Sequence, residues 1–235
     1  MSLILALDSS TDACSVALFA DGQLSAHFEL AAKSHTQRLL PMVDELLQRN
    51  NLKLGDLNAI AFGRGPGSFT GLRICMGIVQ GLAFGAHLPV IPVSTLEAMA
   101  LGYYRANPQV NSPVVVSLDA RMDEVYWGAF TRDGESVVPM SEEFVMKPEL
   151  LAEQDVIRSL AGQFVAAGSG WHYPAMQALA AATIVVDVQP NAEDMALIAA
   201  QVWSEGGAID VLDAQPVYLR DTISWQKRQR IRNPN

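Results

Sequence analysis

The 235-residue sequence predicts an α/β protein of two tandem domains of duplicated topology, each built on a mixed sheet. Three observations predict it. First, the halves echo each other: residues 3–8, ending in Asp8, lead through 14–19 to Asp21-Gly22, and residues 114–119, ending in Asp119, lead through 125–130 to Asp133-Gly134. The offsets agree, at 111 positions from Asp8 to Asp119 and 112 from Asp21 to Asp133. A shared order of strand, aspartate, strand and Asp-Gly hairpin signal points to duplication. Second, each echo is followed by alternating helix-period and strand-like segments, the mark of crossover connections and parallel pairing. Third, a polar stretch at 107–112, bracketed by Pro108 and Pro113, divides the two halves.

The elements follow in order. Residues 34–48 form a helix candidate with Leu39, Leu40, Met42, Val43, Leu46 and Leu47 along one broad apolar face. Strand candidates at 58–62 and 88–93 flank a glycine-studded helix at 70–85, and 95–105 reads as a further helix. The second half repeats this with strands at 164–167 and 183–188 and a helix at 192–204. The expected domains are 1–107 and 108–235, with the C-terminal segment a candidate to pack back on the first.

Half of the residues are hydrophobic, enough for a sizeable core. No apolar run in the letters has the eighteen or so residues of a membrane span, and no basic region precedes the first apolar run. The chain is therefore expected in the cytosol, away from membranes. Cys14 and Cys75 show no metal or redox spacing and are expected to be buried, reduced thiols. A net charge of −9 would repel a polyphosphate, so the chain alone is expected to bind tRNA poorly. The tail Lys227-Arg228-Gln229-Arg230-Ile231-Arg232 is the exception, read either as a solvated terminus or as an RNA contact.

The run Gly63-Arg64-Gly65-Pro66-Gly67-Ser68-Phe69-Thr70-Gly71 joins a strand to a helix, as phosphate-binding loops do. It fails both standard patterns. The dinucleotide fingerprint lacks its third glycine in either frame, and Leu72 stands where the P-loop needs lysine. A serine-hydrolase elbow is also absent, because Gly67-Ser68-Phe69 continues into Thr70 and not glycine. His27, His35, His87 and His172 lie in different elements with no ligand spacing, so no metal site is expected. Within the glycine-studded helix, Arg73, Gly77, Gly81 and Gly85 recur every four residues and make a stripe nearly free of side chains. Three glycines cost roughly 1 kcal/mol each relative to alanine. Close approach of another helix would offset this, whether from the same domain or from a partner.

Three segments, Leu5-Ala6-Leu7-Asp8, Gly65-Pro66-Gly67-Ser68-Phe69-Thr70-Gly71-Leu72-Arg73 and Pro216-Val217-Tyr218-Leu219-Arg220, resemble the bacterial TsaB (YeaZ) family, together with the stretches 35–41 and 119–122. The resemblance covers nearly the whole chain. It implies a non-catalytic subunit of the machinery that places a threonylcarbamoyl group on N6 of the adenosine following the anticodon, position 37, in tRNAs reading codons that begin with adenine. It also implies partners: the catalytic homologue TsaD, the ATPase TsaE, and a second copy in a homodimer, with tRNA reached only through the complex. The glycine-studded helix and the helix before it would form the partner surface, through Leu39, Met42, Gly77, Gly81 and Gly85, with Arg38 and Arg73 at the rim.

The fold is similar to the actin, hexokinase and Hsp70 superfamily (ASKHA), whose hairpin turns cradle ATP between two domains. Here Asp8, Ser9, Ser10, Asp119 and Arg121 would be the remains of that cleft. The second turn carries Arg121 and Met122 in place of glycine, which would obstruct phosphate. No cofactor is expected on the chain alone, with ATP or ADP bound weakly or only in the complex. The resemblance also places Thr95 and Met99 where TsaD carries its His-x-x-x-His metal ligands, and neither is an adequate ligand. Competing readings are a stand-alone ATP-dependent kinase or carbamoyl transferase, in which Asp8 and Asp119 would hold Mg²⁺-ATP, and a metalloprotease.

Overall fold

The computed structural model describes residues 2–30 and 34–220; the basic tail at 227–232 lies outside them. In chain order the first half comprises β1 (Leu3–Asp8), β2 (Ala13–Ala20), β3 (Gln23–Leu30), α1 (His35–Arg49), β4 (Ala59–Gly65), α2 (Phe69–Ala86), β5 (Val90–Ser94) and α3 (Thr95–Ala106). The second comprises β6 (Val114–Arg121), β7 (Glu124–Asp133), β8 (Ser136–Pro139), β9 (Phe144–Met146), α4 (Asp155–Leu160), β10 (Val165–Ala167), α5 (Pro174–Gln177), β11 (Thr183–Val185) and α6 (Ala192–Ser204).

The two sheets have the same wiring. The first runs β3-β2-β1-β4-β5 and the second β8-β7-β6-β10-β11, with β9 added to β7. In each, the two hairpin pairings are antiparallel and the two crossover pairings parallel. The hairpin signals differ by one place. Asp21 and Gly22 both occupy the left-handed region, at φ 48° and 90°, as a two-residue turn of mirror-image type demands. In the second half the turn is Gly134-Glu135, flanked by the Asp133–Ser136 pair.

Alternation along the strands sorts the core, since successive side chains point to opposite faces. Leu5 and Leu7 of β1 join Ile60 and Phe62 of β4 under α1 and α2. Ile4 and Ala6, with Ala17, Ala59 and Ala61, face the other way. Onto this alanine-lined face lies α6, itself presenting Ala192, Met195, Ala196 and Ala199. Correspondingly α3, which closes the first half of the chain, covers the second sheet: Leu96, Met99 and Tyr103 pack with Val114, Val116 and Val165. The far face of the second sheet is filled by Trp127, Phe164 and Trp171, the Trp171 indole N–H donating to Val115 O at 3.0 Å. Both sheets are thus covered on both faces, as parallel strands require.

The exchanged helices meet at one crossing. Gly102 of α3 lies so close to α6 that a Cβ there would stand 2.5 Å from Asp194 Oδ2. Arg105 pairs with Asp194 and, at 2.7 Å, with Glu193. Burial pushes the Asp194 carboxyl up to about 6, outweighing the opposing pull of Arg105.

Two expectations need correction. Leu40 does not face the core; it is exposed, and the buried face of α1 is Leu39, Met42, Val43, Leu46 and Leu47. By length and composition, α2 is apolar enough to cross a membrane, contrary to the reading of the letters. Its buried side, Leu72, Cys75, Met76, Val79 and Ala83, belongs to the first core. Substituting Gly102→Ala is expected to destabilise the protein by about 1–3 kcal/mol through overpacking at the α3–α6 crossing. Denaturant unfolding followed by circular dichroism checks this, and an unchanged midpoint would show that the crossing has slack.

Candidate functional site

Between the hairpin turns of the two halves lies an open cleft of about 480 Å³, lined among others by Ser10, Asp12, Ser68, Asp119, Arg121 and His172. Of the residues expected there, the structure brings Ser10, Asp119 and Arg121 together around it and places Asp8 and Ser9 beneath it, both fully buried.

The glycine run explains why. Gly63 is bare because a Cβ would fall 2.1 Å from Asp8 Oδ1. At Gly67 and Gly71 it would fall 2.4 Å from Ser10 O and 1.9 Å from Ser9 O. The first turn is therefore pressed into the start of α2: Ser68 N–H donates to Ser10 O at 2.6 Å, and Ser9 Oγ–H donates to Gly71 O at 2.9 Å. Ser68 Oγ caps α2 by accepting from Gly71 N–H. The close approach that the glycines permit is to protein, not to phosphate.

Amides of the same turn point inward. Ser10 N–H and Oγ–H both donate to Asp8 Oδ2, at 3.2 and 3.0 Å, and the Ser9 amide also faces the carboxylate. Among the described residues Asp8 Oδ1 has no hydrogen-bond partner. Burial dominates these hydrogen bonds and pushes the Asp8 carboxyl up to about 7. Donors that serve an internal carboxyl, as those of Ser9 and Ser10 do, are not available to an anion in the cleft.

The second turn is shaped differently. Arg121, Met122 and Asp123 are all left-handed, with φ of 62°, 59° and 57°, at roughly 1–2 kcal/mol each for residues with a Cβ. Asp119 supports the turn, accepting from Arg121 N–H at 2.9 Å and from the Tyr173 hydroxyl at 3.1 Å. Met122 does not block the cleft as its bulk suggested. It is exposed, with its sulfur against Arg220.

The expected partner surface divides. Leu39 and Met42 are fully buried in the first core and cannot touch a partner, because the apolar face of α1 is the one that seals the sheet. Arg38 is tied to Glu29, its Nε donating at 2.8 Å, which keeps it on the β3 side of the helix. Along α2 the stripe is open: Arg73, Gly77, Gly81 and Gly85 are exposed, and a Cβ at any of the three glycines would meet nothing within 4 Å. Packing against a neighbour among the described residues is thereby removed as the reason for these glycines. Exposed Phe84 adjoins the stripe, and Leu40 is exposed on α1.

Thr95 and Met99 are wholly buried, Met99 packing in the second core. Among the described residues no group of three His, Cys, Asp or Glu side chains could hold a metal ion. The thiols of Cys14 and Cys75 are free and buried, and burial raises both. Sequence reasoning missed Gly102, Asp194, Arg105 and the contacts of Arg220, none of which has a local pattern. The Pro216-to-Arg220 resemblance did mark the last.

A family model described as TsaD, tRNA N6-adenosine threonylcarbamoyltransferase, matches residues 27–209. The chain is 47% identical to the tRNA threonylcarbamoyladenosine biosynthesis protein TsaB of Escherichia coli (strain K12), over 95% of this chain and 97% of that one. To the protein of the same name from Haemophilus influenzae it is 42% identical, over 95% of this chain and 96% of the other. The solved structure of YeaZ from Pseudomonas aeruginosa superposes with a TM-score of 0.86 at 41% identity, covering 93% of this chain and all of that one.

The buried Asp8 has a measurable consequence. A carboxyl raised in the folded state favours the fold while protonated, so its contribution is fully present below the unfolded value near 4 and is lost as pH rises to about 7. Stability should therefore fall by a few kcal/mol between pH 4 and pH 8, with Asp194 adding a second component that ends near 6. Asp8→Asn should remove the upper part of that slope. Thermal melts across the range test it; an identical slope in the variant refutes the assignment.

Proposed function

Because the chain belongs to the TsaB (YeaZ) family, whose role is in tRNA threonylcarbamoyladenosine biosynthesis, we propose that it serves as a non-catalytic subunit that binds and supports a TsaD-type transferase through the outer face of α2. The observation that carries this reading is the stripe Gly77, Gly81, Gly85, which is exposed and has no neighbour among the described residues. Glycines in a helix interior cost stability, and no contact among the described residues offsets it here. A partner helix laid along the stripe would bring two backbones together at short range, a geometry that side chains forbid. Exposed Phe84 and Leu40 would add apolar area beside it. The same face would serve pairing with a second copy, while TsaE and tRNA would join through the assembled complex.

Catalysis by the chain alone finds little support in its geometry. The stand-alone ATP-dependent reading requires Asp8 and Asp119 to hold Mg²⁺-ATP, yet the Asp8 carboxyl lies under Gly63 with the amides of Ser9 and Ser10 directed at it. Metal chemistry at the start of α3 would need Thr95 and Met99 to be exposed ligands, and both are interior.

Gly77→Leu or Gly81→Leu is expected to abolish the complex with a TsaD-type partner while leaving the isolated chain folded, since the added side chains enter open space. Size-exclusion chromatography with circular dichroism on the same samples decides it. An intact complex would sink the interface. In reconstituted modification assays read by mass spectrometry of nucleosides, these variants should lose threonylcarbamoyladenosine, whereas Thr95→Val, which keeps the buried volume, should retain it. Loss of product by Thr95→Val with the complex intact would instead assign chemistry to this chain.

A further inference from the structure

Residues 216–220 belong to no helix or strand, yet they touch three separated parts of the molecule. Val217 N–H donates to Arg64 O at 2.7 Å, which lays the segment against the glycine run. Next, the Tyr218 ring packs on Phe69 with centroids 5.6 Å apart, and its hydroxyl accepts from Arg73 Nε at 3.2 Å. The Arg73 guanidinium in turn lies 3.8 Å over the Phe69 ring. These contacts are on α2, at the head of the glycine stripe. Two residues later the chain has crossed to the other half. There Arg220 Nη2 donates to Ala120 O and Arg121 O at 3.1 and 3.3 Å, and Arg220 Nε donates to Glu124 Oε2 at 2.9 Å. Arg220 Nη1 lies 3.4 Å from Met122 Sδ.

These contacts surround the turn whose three consecutive left-handed residues carry no glycine. Non-glycine residues persist in that region only when their surroundings over-determine them. Asp119 holds the first of the three from within its own strand. From outside, Arg220 grips the carbonyls before and at the first left-handed residue, the sulfur of the second and the carboxylate just past the third. The position of Arg220 depends on the segment that carries it, and that segment is seated by Tyr218 on Arg73 and Phe69.

We infer that residues 216–220 form a strap coupling the outer face of α2 to the second hairpin turn, so that a change at Arg73 on α2 alters how firmly 121–123 are held at the mouth of the cleft. Anything that engages Arg73 from outside, a partner helix included, is then sensed at the cleft through two side chains of one short segment. The coupling is reciprocal, as any equilibrium linkage must be. It is a property of this chain alone, present before any partner binds.

Amide hydrogen exchange on the full chain, read at 121–123 and compared with β1 and β4, tests it. Arg220→Ala should speed exchange at the turn by about tenfold, the scale of losing hydrogen bonds from a charged donor. Tyr218→Phe, which removes only the hydroxyl that meets Arg73, and Arg73→Ala should each speed it by about threefold, with β1 and β4 unchanged. If Arg220→Ala acts but neither α2-side variant does, the turn is clamped without being coupled, and the strap is refuted. It is equally refuted if Arg220→Ala leaves the turn unchanged. Should Arg220→Ala loosen β1 and β4 as well, Arg220→Lys replaces it. That variant keeps the charge beside Glu124 and loses the fork, and it must still speed exchange at the turn.

Discussion

The arrangement depends on the crossing of α3 and α6. Each of these helices ends one half of the chain and covers the other half's sheet, so each sheet has one face unsealed until the helix of the other half has crossed to it. The crossing is close because Gly102 offers no side chain and Asp194 fills the space. A carboxylate buried this way would cost several kcal/mol without a partner, and Arg105 supplies one from the opposite helix. Burial still holds the Asp194 carboxyl above its ordinary range, so the pair tolerates desolvation more than it profits from attraction. What the crossing secures is position: it sets the two hairpin turns facing each other across the cleft.

With the halves locked, the character of the cleft follows from hydrogen-bond donors. A turn can hold an anion only with amides free to face it. In the first turn those of Ser9 and Ser10 are directed at Asp8, and the glycines beside it are occupied by the carbonyls of the same turn. In the second, three left-handed residues with side chains are held open by Asp119 inside and Arg220 outside. The cleft is therefore a place where two protein turns are braced, and its residues serve chiefly each other.

The α2 helix joins these features to the surface. One side, from Leu72 to Ala83, is core; the other carries glycine at every fourth residue with none of the described residues against it. Its N-terminal turn carries Phe69 and Arg73, which seat Tyr218 and so the segment that reaches the second turn. One helix thus closes the first core, braces the first turn and borders the strap. Its apolar length satisfies the arithmetic of a membrane span, and its buried side chains belong to the core beneath the sheet it covers.

Sequence alone determined the duplicated succession of strands along the chain, the positions of the four long helices and the first hairpin turn, with the second displaced by one residue, because each is written in local periodicity or turn chemistry within a few residues. It also marked the glycine run and the glycine stripe as places of close approach. Only the tertiary structure decided what approaches. The run is bare because Asp8, Ser9 and Ser10 press on it, whereas the stripe is bare with none of the described residues beside it. Periodicity grouped Leu39, Leu40 and Met42 on one face, and packing separated them, burying Leu39 and Met42 and leaving Leu40 outside. The exchange of α3 and α6, the Gly102–Asp194 contact and the grip of Arg220 on residues 120–124 left no local trace. Each joins residues roughly ninety or more positions apart, and such pairings are set by which surfaces remain to be covered once the sheets have formed.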